Sequence, residues 1–128
     1  MSRYRKIFNR IFASVFLAVL LSINIQALAA DGEALFKANC ASCHKPDKDF
    51  TGPALKGARD REPSKTWVYE WVKNSASVIE KGDKYAKDLF AKWNKTQMTA
   101  FPNLKNEEID AILDYADNWV PATPTVTP

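Results

Sequence analysis

Two cysteines and a single histidine are the only thiol and imidazole side chains in this 128-residue chain, and all three fall within five positions, Cys40-Ala41-Ser42-Cys43-His44. Three chemistries use such a cluster. Zinc takes four protein ligands, or three plus a water, and the chain has no second Cys/His pair to complete that set. A redox dithiol of the C-x-x-C kind follows a strand in a βαβ setting, whereas the flanking "DGEALFKANC" reads as helix. C-x-x-C-H is also the signature of c-type haem attachment. Cys40 and Cys43 would then add to the two haem vinyl groups as thioethers, and His44 would reach the iron from the same side. A five-residue motif is decided by its surroundings, so the rest of the chain must arbitrate.

If haem is bound, the iron takes one axial ligand from His44 and the other from a side chain or an exogenous molecule. No second histidine exists, and Met1 lies in the N-terminal segment, which leaves Met98, a lysine or nothing. A lone methionine ahead of an amphipathic helix ordinarily fills a core. Met98, however, lies 54 residues after His44 in the loop "QMTAFPNL", where Phe101 and Pro102 can stiffen the segment. That placement favours the ligand reading.

The elements that must position these residues are helices, with no convincing strand. Residues 32 to 40 place Leu35, Phe36 and Cys40 on neighbouring turns, so that the helix ends at the cysteine cluster. Residues 45 to 63, rich in Pro, Gly and Asp, read as loop. Ser64 is an N-cap candidate for "KTWVYEWVKN", in which Trp67 and Trp71 stand four apart with Val68 and Val72 beside them. Ser75 to Lys81 reads as a further short helix closed by Gly82. Asp83 would cap "KYAKDLFAKWN", with Tyr85, Leu89, Phe90 and Trp93 as its apolar stripe. Asn106 would cap "EEIDAILDYADNW", whose Ile109, Ile112, Leu113, Ala116 and Trp119 keep the helical period while Glu107, Glu108 and Asp110 suit the positive end of the dipole. The tail, residues 120 to 128, is Pro/Thr-rich and is expected to be disordered.

The N-terminus indicates a compartment. "MSRYRKIFNR" carries Arg3, Arg5, Lys6 and Arg10 and no acid, and an apolar run and then "QALAA" come after it. This is the pattern of a secretory signal peptide over residues 1 to 29, with cleavage after Ala29 or Ala30. The alternative is a retained anchor, which Asn24 and Gln26 weaken by interrupting a stretch that would need about 20 apolar residues. Of 18 Lys+Arg and 15 Asp+Glu, four cations and no acids lie in residues 1 to 30, leaving 14 against 15. The exported part is near neutral, which removes any case for nucleic-acid binding.

The combined pattern resembles a class I c-type cytochrome of bacterial type, monohaem and His/Met-ligated. The resemblance covers residues 31 to 119: "GEALFKANCASCH" is similar to the family's first helix and attachment site, "TGPAL" to its post-haem loop, "MTAFPNL" to its methionine loop and "EEIDAILDY" to its closing helix. It implies a small all-α cytochrome c fold over residues 30 to 119, with its N- and C-terminal helices crossing and its helices packed around one haem c held covalently by Cys40 and Cys43. By position it implies that His44 and Met98 ligate the iron. It also implies that the Pro53 carbonyl accepts a hydrogen bond from the other His44 ring nitrogen, and that Gly32 and Phe36 cross the last helix near Tyr115. The chain departs from the family at Lys105, where many relatives place a serine or threonine cap, so capping is expected to shift to Asn106.

The resemblance further implies an electron-transfer protein without bond-making catalysis. It would be periplasmic or at the outer face of the cytoplasmic membrane, shuttling single electrons between redox proteins that include respiratory complexes, with no small-molecule substrate. The alternatives are a haem subunit of a larger respiratory complex and, in another class, an open-site haem protein with peroxidase-like or gas-binding activity. Trp67, Trp71 and Trp93 read as core around the porphyrin, with one of them available to a haem propionate through its indole N–H. Lys45, Lys48, Lys56, Lys92 and Lys95 would ring the haem edge, and Glu107, Glu108, Asp110, Asp114 and Asp117 would make the closing helix acidic, a dipolar arrangement that steers partners.

Overall fold

The computed structural model describes residues 30–121 and, apart from them, Tyr4. The segment expected to be a signal peptide, Tyr4 apart, and residues 122–128 of the tail expected to be disordered lie outside the described residues. Among the described residues 30–121, five helices occur in order: α1 (Gly32–Asn39), α2 (Ala58–Arg61), α3 (Lys65–Glu80), α4 (Lys84–Lys92) and α5 (Asn106–Asn118). No strand occurs among the described residues. The architecture is the small all-α kind that the periodicity predicts.

Side-chain caps start three of the helices. The Asp31 carboxylate accepts from the Ala34 N–H at 3.0 Å, the Ser64 hydroxyl from Trp67 N–H at 3.1 Å and the Asp83 carboxylate from Ala86 N–H at 2.7 Å. Each satisfies a donor that the first helical turn leaves without a partner. The expected cap of α5 is corrected. Lys105 occupies the capping position, and its N–H donates to the Glu108 carboxylate at 2.8 Å. The Asn106 side chain instead accepts from Lys73 Nζ at 2.6 Å. Glu108, three residues past the cap, thus supplies the half of a capping box that reaches back to the cap's own N–H.

The first and last helices cross at closest range. A Cβ on Gly32 would overlap the Ala111 carbonyl oxygen and stand 2.7 Å from its carbon and 3.1 Å from Tyr115 Cβ. Only glycine permits that approach, and it brings the Phe36 and Tyr115 rings to 5.4 Å at 46°. Phe36, Cys40 and Ile112 bury one cluster at this crossing. A second, larger cluster joins Trp67, Val68 and Val78 of α3 to Ala86 of α4 and to Ile109 and Leu113 of α5.

Two departures concern the middle of the chain. The segment expected to be loop contains one helical turn, α2, which begins after Gly57 in the left-handed region (φ +69°). Tertiary partners hold it: Gly57 N–H and Arg59 Nη1 both donate to the Asp117 carboxylate, at 2.7 and 2.9 Å, and Arg59 Nη2 donates to the Asp110 carbonyl at 2.8 Å. Helix α3 runs through both predicted segments, but Asn74 has non-helical angles (φ −164°, ψ 82°), and its side chain accepts from Ser77 N–H at 3.1 Å. The break between two helices is therefore real and falls one residue before Ser75. Helix α4 ends at Lys92 because Asn94 and Lys95 both turn left-handed (φ 54° and 57°).

Candidate haem site

One cavity of about 370 Å³ gathers the chemistry-bearing residues that the sequence singled out. Cys40, Cys43, His44 and Pro53 line it from the N-terminal side of the chain and Met98 from the loop before α5. Its walls are otherwise mostly apolar, with Trp67, Trp71, Leu89, Phe90, Trp93 and Leu113 among them. The size and character are those of a site for a large, mostly apolar group.

The attachment segment is a tight turn at the end of α1. The N–H groups of Cys43 and His44 both donate to the Cys40 carbonyl, at 3.1 and 2.8 Å, and Gly52 N–H donates to the Cys43 carbonyl at 2.8 Å. This last bond folds the "TGPAL" loop back over the histidine. The His44 Nδ1 stands 2.7 Å from the Pro53 carbonyl oxygen, which fixes the tautomer with its hydrogen on Nδ1 and leaves Nε2 for a metal. Gly52 lies against the imidazole so closely that a Cβ there would come within 2.5 Å of Cε1. The Gly52 contact is a positioning element that sequence reading overlooked, though its place in the loop before Pro53 was the available signal.

The electrostatics suit an uncharged, liganded state. Burial lowers the His44 pKa against the Pro53 bond, which raises it, so the imidazole is neutral and able to bind a metal. Burial, with a smaller contribution from Cys43, pushes the Cys40 thiol up to about 11. A thioether carries no charge and avoids the cost that a thiolate would incur there.

The methionine loop is anchored by residues that the sequence did not single out. Ser75, 1% exposed, donates through its hydroxyl to the Met98 carbonyl at 3.3 Å and accepts from Gln97 Nε2 at 2.6 Å. Phe101 N–H donates to the Val72 carbonyl at 3.1 Å. The break at Asn74 thus lies beside the part of α3 that grips this loop.

A family model for cytochrome c matches residues 29–118. The chain belongs to the cytochrome c family. It is similar to cytochrome c-551 of Stutzerimonas stutzeri, 64% identical over 31 residues that make up 23% of this chain and 30% of that protein. It is also similar to a cytochrome c2 of Rhodopseudomonas palustris, 56% identical over 34 residues, 27% of this chain and 29% of that one. These matches cover less than a third of either relative. Among solved structures, a cytochrome c from Rhodothermus marinus is 33% identical with a TM-score of 0.57, over 72% of this chain and 76% of that chain. An engineered form of that cytochrome, bound to a carbene intermediate, is 32% identical with a TM-score of 0.54, over 74% and 81% of the two chains.

Membership brings haem c, and the residues fit it. Cys40 and Cys43 have the attachment spacing. The indole N–H groups of Trp67 and Trp93 are buried without a protein partner and belong to cavity-lining residues, so they are donors for a group that carries carboxylates. Of the three tryptophans that sequence could not separate, Trp71 is set apart: it stacks on Trp67 at 5.1 Å and 12°, and its N–H is not among the orphaned donors. Glu62, which sequence reading passed over inside an expected loop, also lines the cavity, and its Oε2 is buried with no partner.

The surface reading changes in detail. Asp110, Asp114 and Asp117 all lie within 4 Å of the Arg59 guanidinium, and Asp110 also pairs with Lys65 at 2.8 Å. These acids tie α2 and α3 to α5. Lys45 Nζ sits 4.9 Å from the centre of the exposed Phe50 ring, and Lys56 Nζ donates to the Trp119 carbonyl at 3.3 Å.

Proposed function

We propose that the protein is an exported one-electron carrier in which Cys40 and Cys43 form the thioethers to haem c and His44 and Met98 are the axial ligands. The observation that carries this reading is the convergence of Cys40, Cys43, His44 and Met98 on one cavity, with His44 Nδ1 already committed to Pro53. The haem supplies a reversible one-electron iron couple. The chain's residues do the rest: His44 is held neutral and oriented, Ser75 and Gln97 hold the Met98 backbone, and the apolar walls exclude water. With both ligands retained in either oxidation state little reorganises, and a thioether favours the reduced state.

The signal-like N-terminus supports a periplasmic or outer-face location, with redox proteins, respiratory complexes among them, as donor and acceptor. The Met98→Ala holoprotein tests the reading. It is expected to lose the ferric iron–sulfur charge-transfer band, to show a lower reduction potential and to bind carbon monoxide quickly in the ferrous state, where the parent binds it slowly. A parent that already binds carbon monoxide quickly, with spectrum and potential unmoved by the substitution, would overturn the His/Met assignment in favour of an open site.

A further inference from the structure

Among the described residues, Glu62 is the only one lining the haem cavity that carries a charged side chain in its ordinary ionisation state. Its Oε2 is buried and accepts no hydrogen bond from the protein. The residue is also pinned. It ends α2 in extended conformation (φ −85°, ψ 152°) directly before Pro63, which restricts its backbone. On its other side the Arg61 guanidinium is tied to the Lys56 carbonyl at 2.7 Å and to the Ala54 carbonyl at 2.6 Å. The residue as a whole is half-buried, and Oε2 is its buried, unpartnered atom.

We propose that Glu62 is a proton-binding site coupled to the redox state of the protein: its carboxylate takes up a proton when the protein is reduced and gives it back on oxidation. The proposal rests on haem c occupying this cavity. The balance is simple. The oxidised protein with ionised Glu62 receives one electron from a redox donor and one proton from water, and it becomes the reduced protein with Glu62 as a neutral acid. Reduction removes a positive charge from a cavity in which the Glu62 carboxylate is the only protein anion, so it removes what stabilised that anion. Proton uptake by Glu62 and reduction therefore favour each other, as linkage requires.

The surrounding groups act on the Glu62 carboxyl in opposite directions. Burial raises the Glu62 pKa, against the Tyr85 hydroxyl of α4 and the Arg61 charge of α2, both of which lower it. Tyr85 is itself pushed up to about 12 by burial and by Glu62, so it remains a neutral hydroxyl that favours the charged carboxylate. From α3 the cavity receives the uncharged Trp67, and from the attachment turn the neutral His44. The haem propionates are the competing titratable groups, and the experiment separates them from Glu62.

The test is the reduction potential of the haem-loaded protein between about pH 4 and pH 9, a window that covers a carboxylate at its ordinary value and one raised by several units. The parent is expected to show a sloping region between two breakpoints, where the potential falls as pH rises by up to about 59 mV per unit, the value of a tenfold change for one electron. Glu62→Gln mimics the neutral acid, so its potential should stay near the parent's acid plateau across the same region. In Tyr85→Phe, which removes a group favouring the carboxylate, the sloping region should move to higher pH. If Glu62→Gln loads haem poorly, this second variant decides the matter. A parent with flat potential, a Glu62→Gln variant that keeps the slope and so assigns it to propionates, or a Tyr85→Phe variant with unmoved breakpoints each overturns the proposal. Denaturing electrophoresis of the same samples reports haem attachment independently. Any of those results on haem-loaded protein removes the Glu62 assignment alone, while a chain that never retains haem removes both.

Discussion

Gly32→Ala perturbs the crossing of α1 and α5 by a single methyl group, and the structure dictates its cost. The new Cβ would stand 2.7 Å from the Ala111 carbonyl carbon and 3.1 Å from Tyr115 Cβ, and it would overlap the Ala111 oxygen. The Ala111 contacts are backbone atoms in the middle of α5, so no rotamer change relieves them. Carbon atoms attract at roughly 3.5 Å or more, so relief of the carbon contact alone needs α1 to retreat by about 0.8 Å, and relief of the oxygen overlap needs more. That retreat loosens the buried cluster of Phe36, Cys40 and Ile112. Overpacking of this kind costs about 1–3 kcal/mol. Replacing glycine in a helix returns roughly 0.5–1 kcal/mol, and less at the first helical position, where Gly32 sits. The net loss is on the order of 1–2 kcal/mol, which in a domain of this size lowers the melting temperature by about 5–15 °C. Thermal unfolding of the haem-loaded variant, followed by circular dichroism beside the parent, measures it. A melting temperature within about 2 °C of the parent, or above it, would show that the crossing has slack and that close approach does not constrain it.

Two more outcomes concern groups that sequence reading left unassigned or placed on the surface. Ser75→Ala removes the hydroxyl between Gln97 and the Met98 carbonyl. It should destabilise the holoprotein by about 1 kcal/mol in urea titration and speed carbon monoxide binding to the ferrous form, and an unchanged binding rate would separate Ser75 from Met98 positioning. Asp110 has its pKa raised by burial, but hydrogen bonds from Lys65 and Tyr69 outweigh this and hold it below the usual value. Its contribution to stability is therefore complete above the unfolded-state value of about 3.9 and is lost as pH falls through the lower folded one. The difference in urea midpoint between the parent and Asp110→Asn should be constant above about pH 5 and shrink in acid, and a difference that holds constant throughout would contradict the sign.

The parts of the fold legible in the sequence are those that short-range physics determines. The helical period identified α1, α3, α4 and α5. Ser64 and Asp83 announced themselves as caps because a short oxygen-bearing side chain ahead of an apolar stripe satisfies a donor three residues on. The cluster at residues 40 to 44 and Met98 could be paired because residues 30 to 128 hold no other methionine, histidine or cysteine. The illegible parts depend on partners distant in sequence. A single helical turn at residues 58–61 has no propensity of its own that would outweigh the glycines and prolines around it. It exists because Asp117 and the Asp110 carbonyl, more than fifty residues on, accept from Gly57 and Arg59. The same acids read as surface charge until the fold shows Arg59 among them. The cap of α5 went to Lys105 because Glu108 could reach back, a choice between two local solutions that the sequence poses without ranking.

The haem cavity sharpens that distinction, because in it local and distant determinants have different chemical consequences. The attachment turn is local: Cys40, Cys43 and His44 are brought together by bonds spanning at most four residues, and the His44–Pro53 bond spans nine. The methionine side is not local, since the Met98 backbone is held by Ser75, 23 residues earlier and next to the break in α3 at Asn74. A substitution remote from the site can therefore loosen the Met98 side while leaving the His44 side assembled. The orphaned donors of Trp67 and Trp93 and the orphaned oxygen of Glu62 belong to a third kind. No protein group completes them, and an unsatisfied buried polar atom costs about 1–3 kcal/mol. In a chain whose family carries haem c, a carboxylate-bearing group is the kind of partner that the two donors lack. The Glu62 Oε2 finds no donor there, and burial raises the carboxyl's pKa against Tyr85 and Arg61, which is the physical basis of the proposed proton site.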